Sequence, residues 1–140
     1  MLRVLILLSV VSVAIGCDCP QRSPKQLFCS SDFVGTFTIT HKKLVRSDIL
    51  YEAETSLFFK TPKDYPYHGA RIYTNSQSTA CGVTGLEVGR TYLLNGKYNA
   101  FGGSISINTC GQLAATEWSK VPNDIRSALI NGSYLPCPTN

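Results

Sequence analysis

Six cysteines, at positions 17, 19, 29, 81, 110 and 137, are the residues of this chain with the most chemistry to offer. Thiolates hold metals, and oxidised pairs crosslink. Zinc-finger and thioredoxin-type sites need a local Cys-x-x-Cys spacing. None occurs here, and the two histidines, His41 and His68, stand alone. A metal held by this chain's own side chains is therefore not expected. An even cysteine count suits three disulfides instead, provided that the chain enters an oxidising compartment. Enzymatic chemistry has little support: no nucleophile–base constellation is visible, and His41 and His68 read as surface residues.

The compartment is indicated by the first sixteen residues. Arg3 gives a weakly positive start, Val4 to Val13 is an apolar run, and Ala14-Ile15-Gly16 places small residues three and one positions before Cys17. This pattern is a secretory signal peptide over 1–16, and the run is too short for a transmembrane helix. A lipoprotein leader also ends in cysteine, but it favours a branched apolar residue where this chain has Ala14. Cleavage after Gly16 makes Cys17 the first mature residue; cleavage after Ala14 leaves Ile15-Gly16 in front of it. Without residues 1–16 the chain has 124 residues, 12 basic against 9 acidic, for a net charge of +3. That length suits one domain. The basic residues are scattered, with Lys42-Lys43 the one adjacent pair, which argues against a nucleic-acid partner.

The elements that must position the cysteines read mostly as strands. In 32–44, Phe33, Gly35, Phe37 and Ile39 share one face, while Thr36, Thr38 and Thr40 share the other. The glycine within the run suggests a bulge or a sharp coil. In 48–60, Ile49, Tyr51, Ala53, Leu57 and Phe59 face one way, with Glu52, Glu54, Ser56 and Lys60 opposite. Segments 70–76, 90–98 and 103–110 add three short strands bounded by turn residues. Five such strands suit a small antiparallel barrel, closed or nearly so. Val121, Ile125, Ala128 and Leu129 then recur at helical spacing, with Pro122 near the start and Gly132 placed to stop the helix. Trp118 just before it reads as a core anchor. Three early cysteines and three late ones favour long-range bridges, although fifteen connectivities are open to six cysteines.

Cysteine order and strand order together resemble the inhibitory N-terminal domain of the tissue inhibitors of metalloproteinases, a netrin-like module. The resemblance rests on Cys17-x-Cys19, "LFCSSDFV" (27–34), "ACG" (80–82), "GRTYLLNGK" (89–97), Cys110, and Trp118 with a helix and "SYLPC" (133–137). It covers 17–137, leaving 138–140 as a short tail, and implies a mainly β fold: a five-stranded OB-type barrel with a C-terminal amphipathic helix and three disulfides. It also implies the pairing Cys17–Cys81, Cys19–Cys110 and Cys29–Cys137. The function implied is inhibition of extracellular zinc metalloproteinases by a secreted protein. In that mechanism the α-amine and carbonyl oxygen of a mature Cys17 form a five-membered chelate on the catalytic zinc of the target. The protein needs no cofactor of its own.

By the same resemblance Asp18 points into the specificity pocket beside that zinc, Pro20 stiffens the exit from the edge, and Thr79-Ala80 lie along the same ridge. Family members generally carry a small hydroxyl residue where this chain has Asp18, and a carboxylate is costly in an apolar pocket. The competing reading is a netrin-like module that binds extracellular proteins or matrix without inhibiting. A monomer is expected in either case. The vertebrate members' second disulfide-rich domain has no counterpart in this sequence, and its functions are not carried over. Asn131-Gly132-Ser133 is a glycosylation sequon.

Overall fold

The computed structural model describes residues 16–65 and 69–139. The leader before Gly16 and His68 lie outside the described residues. Five strands, β1 (Phe33–Val45), β2 (Asp48–Lys60), β3 (Ala70–Asn75), β4 (Thr91–Asn99) and β5 (Ser104–Ser106), close into a barrel in the order β1-β2-β3-β5-β4. This is the OB-type arrangement expected. The pairing differs from a purely antiparallel barrel in one place: β3 and β5 run parallel, Ile72 opposite Ile105. Helix α1 (Pro24–Ser30) precedes the barrel and α2 (Asn123–Asn131) follows it.

Closing so small a barrel requires sharply coiled strands, and bulges supply the coil. Along the β1–β2 pair the register slips three times, leaving Phe59, Ser56 and Thr40 as extra residues. At Gly35 a Cβ would lie 2.6 Å from the Leu57 carbonyl oxygen, so only glycine lets β2 cross β1 this closely. The Thr36 hydroxyl accepts a hydrogen bond from the Leu57 N–H at 3.1 Å within the same irregularity.

These bulges correct one expectation. Ile49, Tyr51 and Ala53 are buried, but Leu57 does not continue their face; it is 47 % exposed. The extra residue at Ser56 shifts the phase by one, so Phe58 packs against the barrel interior in place of Leu57. Phe59 turns outward to a second cluster. Strict alternation holds only while the ladder is regular.

Two apolar clusters result. The barrel interior is filled by Phe33, Phe37, Ile39, Tyr51, Ile72, Tyr92, Leu94 and Ile105, among others. The second cluster lies outside the barrel wall, where Val34 and Leu93 meet Phe28 of α1 and Ile125 and Leu129 of α2. Trp118 joins this outer cluster, 5.6 Å from the Phe59 ring, with the Arg126 guanidinium 5.1 Å over its face. Helix α2 ends where expected: Gly132 adopts φ 68°, and the Ser133 N–H returns to the Ala128 carbonyl at 2.9 Å.

Helix α1 is not among the elements expected from the sequence. Its signal is a capping box: the Ser23 hydroxyl accepts from the Gln26 N–H at 3.2 Å, and the Gln26 side chain accepts from the Ser23 N–H at 2.9 Å. Pro24 follows at the first helical position.

Candidate functional site

The barrel presents one chemically distinctive edge, where the first described residues are fastened to it. Cys17 is bridged to Cys81 and Cys19 to Cys110, with Cα–Cα distances of 4.9 and 5.1 Å. Cys29 in α1 is bridged to Cys137, with its Cα atoms 5.4 Å apart. These are the pairings that the resemblance implies. The first two bridges lie against each other: the Cys17 Sγ is 3.4 Å from the Cys110 Sγ, and the Cys81 Sγ is 3.6 Å from it. All four sulfurs fall within 4.8 Å of one another. A cluster of that size resembles a metal centre, but each sulfur is spent in a disulfide and offers no thiolate.

Between the two bridges Asp18 is exposed, and its backbone oxygen lies 3.7 Å from the Cys110 Sγ. Among the described residues no cation pairs with its carboxylate. Pro20 follows, exposed, on the segment leading to α1. Thr79 and Ala80 are exposed on the 3-10 turn Ser78–Ala80, which delivers Cys81.

The bridge partners are themselves held firmly. Cys81 adopts φ 62°, a left-handed conformation uncommon for a residue other than glycine. Its carbonyl accepts the Thr109 N–H at 2.9 Å, which ties the Cys81 turn to the Cys110 turn. A Cβ on Gly82 would lie 1.9 Å from the Asn75 oxygen, so the chain after Cys81 can press against β3 only as glycine. The Gly82 N–H donates to the Gln77 carbonyl at 3.1 Å and closes the turn.

Beneath the Cys110 turn runs a buried polar network that the sequence reading does not single out. Asn95 of β4 is fully buried. Its amide donates to the Ser31 hydroxyl at 2.8 Å and to the Gly111 carbonyl, while its side-chain oxygen accepts the Leu113 N–H at 2.9 Å. Gln112 completes the exchange, donating to the Asn95 carbonyl at 2.6 Å and accepting the Asn95 N–H at 3.3 Å. Asn108 caps the turn by accepting the Gly111 N–H at 2.9 Å. One clue in the sequence is an asparagine within the apolar run of "TYLLNGK", since a buried amide must be satisfied.

Lysines anchor the other end of the N-terminal segment. The Lys60 ammonium donates to the Phe28 and Cys29 carbonyls at 3.3 and 3.1 Å, satisfying the C-terminal end of α1. Burial, foremost, and the nearby Lys97 push its pKa below the ordinary lysine value, with Asp32 opposing. Lys97 donates to the Ser30 carbonyl. Beside β4, Glu117 holds Arg90 at 2.7 Å and Lys120 at 3.1 Å, and Glu117 bridges to Tyr92 of β4. The Arg90 hydrogen bond, then that of Lys120, keeps the Glu117 carboxyl below its usual range.

The remaining singled-out residues lie elsewhere. His41 is exposed on β1, its Nδ1 3.5 Å from a Glu52 carboxylate oxygen. Asn131 is exposed at the last position of α2, before the Gly132 turn. No helix of the described residues is long and apolar enough to cross a membrane.

The family profile described as "Tissue inhibitor of metalloproteinase" matches residues 15–137. Human "Metalloproteinase inhibitor 2" is 33 % identical over 149 aligned residues, which cover 97 % of this chain and 64 % of the human protein. Chicken "Metalloproteinase inhibitor 3" is 27 % identical over 130 residues, covering 89 % of this chain and 58 % of its own. The Caenorhabditis elegans protein named "Putative metalloproteinase inhibitor tag-225" is 24 % identical over 146 residues, covering 88 % of this chain and 91 % of its own length. The chain thus spans nearly the whole nematode relative but less than two thirds of these vertebrate relatives. All are named as inhibitors and none as an enzyme. With the profile matching from before Cys17 to Cys137, the chain belongs to the tissue inhibitor of metalloproteinase family.

Proposed function

We propose that this protein is a secreted inhibitor of zinc metalloendopeptidases that acts through a mature N-terminal Cys17. Residues 1–16 are removed as a signal peptide, and residues 17–137 form the inhibitory domain. The observation that carries the reading is the pair of packed bridges that fasten Cys17 and Cys19 to the barrel, with Asp18 exposed between them.

A catalytic zinc in a protease keeps one coordination position for water. The free amine of Cys17 and its carbonyl oxygen, two donors of one five-membered chelate ring, would displace that water and bind the zinc together. An α-amine titrates at about 7.7–8.0, so a usable fraction is unprotonated near neutral pH. A mobile terminus would lose much of the affinity to ordering entropy. Cys17 and Cys19 are ordered before binding, because both are already tied to the barrel. The sulfurs act as braces and do not contact the metal. Pro20, Thr79 and Ala80 would flank the contact.

The second reading is a binding module without inhibitory activity, and the unpaired Asp18 carboxylate is what favours it. One experiment separates the two. The protein is secreted from eukaryotic cells, its intact mass and first residue are determined, and it is titrated against a panel of zinc endopeptidases. The inhibitor reading expects Cys17 first, three disulfides and stoichiometric inhibition of at least one enzyme. Ile15 as the first residue, or no inhibition across the panel by a Cys17-first protein, would favour the binding module.

A further inference from the structure

We infer that the target of this protein is a zinc endopeptidase that cleaves its substrates before acidic residues, with a cation in the pocket that receives Asp18. The inference rests on the chelating role proposed for Cys17. A protease zinc polarises the carbonyl of the bond to be cut. A chain whose Cys17 carbonyl oxygen sits on that zinc therefore presents its next residue as a substrate presents the residue after the scissile bond. The following Cα is about 3.8 Å further along a trans peptide, so Asp18 is delivered to the pocket that reads that residue.

The backbone of Asp18 is held in place. Its neighbours on both sides are bridged to the barrel, and its own backbone oxygen packs 3.7 Å from the Cys110 Sγ. Its side chain is exposed, and among the described residues neither a cation nor a hydrogen-bond donor is engaged with the carboxylate. An ionised carboxylate accepts hydrogen bonds only. Carried into an apolar pocket it loses water and gains nothing, whereas a lysine or arginine there supplies both charge and donors. A charge that repels the wrong pocket while suiting the right one is a specificity device.

The test uses the full mature protein and its Asp18→Asn variant, which keeps the shape and removes the charge. Each is titrated against two zinc endopeptidases, one cleaving before aspartate and one cleaving before leucine. An unchanged disulfide map and unfolding temperature show that the variant is folded. The inference expects the native protein to inhibit the aspartate-directed enzyme at least tenfold more tightly than the other. Asp18→Asn should lose at least tenfold on the first enzyme and gain on the second. Equal inhibition of both enzymes by the native protein, or no loss on the aspartate-directed enzyme from Asp18→Asn, would overturn it. A third protein, carrying one alanine before Cys17, separates this failure from that of the underlying reading. If it inhibits neither enzyme while the native protein inhibits both equally, the chelating terminus stands and only the acidic preference falls. If it inhibits as well as the native protein, both fall.

Discussion

The Sγ atoms of Cys17 and Cys110 lie 3.4 Å apart although each is bonded to a different partner. The two bridges that hold the N-terminal segment are thus packed against each other as one unit. The third bridge, Cys29–Cys137, joins α1 to the end of the chain and belongs to the outer apolar cluster. For the role proposed for Cys17 the separation matters, because only two of the three bridges hold residues 17–19.

Removal of Cys19–Cys110 by paired serine substitution should lower stability by about 2–5 kcal/mol. On the proposed mechanism it should also weaken inhibition at least tenfold at a temperature where the variant remains folded, since Cys17–Cys81 alone then holds the segment and Asp18 loses its second anchor. Removal of Cys29–Cys137 should cost similar stability with little change in affinity. Thermal unfolding beside inhibition constants for the two variants checks both halves. Equal losses of affinity would mean that the bridges act on general stability alone.

Asn95 is the most exacting buried polar residue. Replacing it with leucine strands the Gly111 carbonyl and the Leu113 N–H, while the Ser31 hydroxyl keeps its bond to the Leu27 carbonyl at 2.8 Å. At about 1–3 kcal/mol for each of these two groups left unsatisfied, the loss should be about 2 kcal/mol or more. Denaturant unfolding measures it directly. A loss below about 1 kcal/mol would indicate that water or a relaxed Cys110 turn takes over those bonds.

Glu117 gives the fold a predictable acid sensitivity. Its folded carboxyl titrates below the unfolded value because Arg90 and Lys120 hydrogen-bond to it. A lowered folded pKa contributes stability above the unfolded pKa, and that stability is lost as pH falls through the folded value. The native protein should therefore unfold at a higher temperature than Glu117→Gln at pH 7, with the difference closing as pH drops below the ordinary carboxylate range. Thermal scans between pH 7 and pH 3 test this; a difference independent of pH would assign it to packing.

Much of the barrel is legible from local pattern, and the misreadings have local causes. The faces of Phe33, Phe37 and Ile39, and of Ile49, Tyr51 and Ala53, follow from regular alternation. Alternation puts Leu57 and Phe59 on the wrong faces because the bulge at Ser56 resets the phase, and a bulge depends on the partner strand rather than on the residue itself. The parallel β3–β5 pairing likewise depends on closure, not on either three- to six-residue segment. Asn95 carries no periodic signature, since its partners lie in segments distant in sequence. The Cys17-x-Cys19 edge stands out because cysteines behind an apolar leader are few and chemically explicit. What the sequence does not reveal there is the support: the left-handed Cys81, the close approach at Gly82 and the contact between the two bridges.

If a free amine on Cys17 is the inhibitory group, blocking that amine alone should abolish inhibition. Two refolded proteins with the same disulfide map, one beginning at Cys17 and one with a single alanine before it, are titrated against a zinc endopeptidase that the first inhibits. The added residue turns the amine into an amide nitrogen with almost no basicity and places bulk where the metal must sit. Loss of inhibition by at least a hundredfold is expected, with an unchanged unfolding temperature. Equal potency of the two proteins would contradict it and would assign the edge to protein binding without chelation.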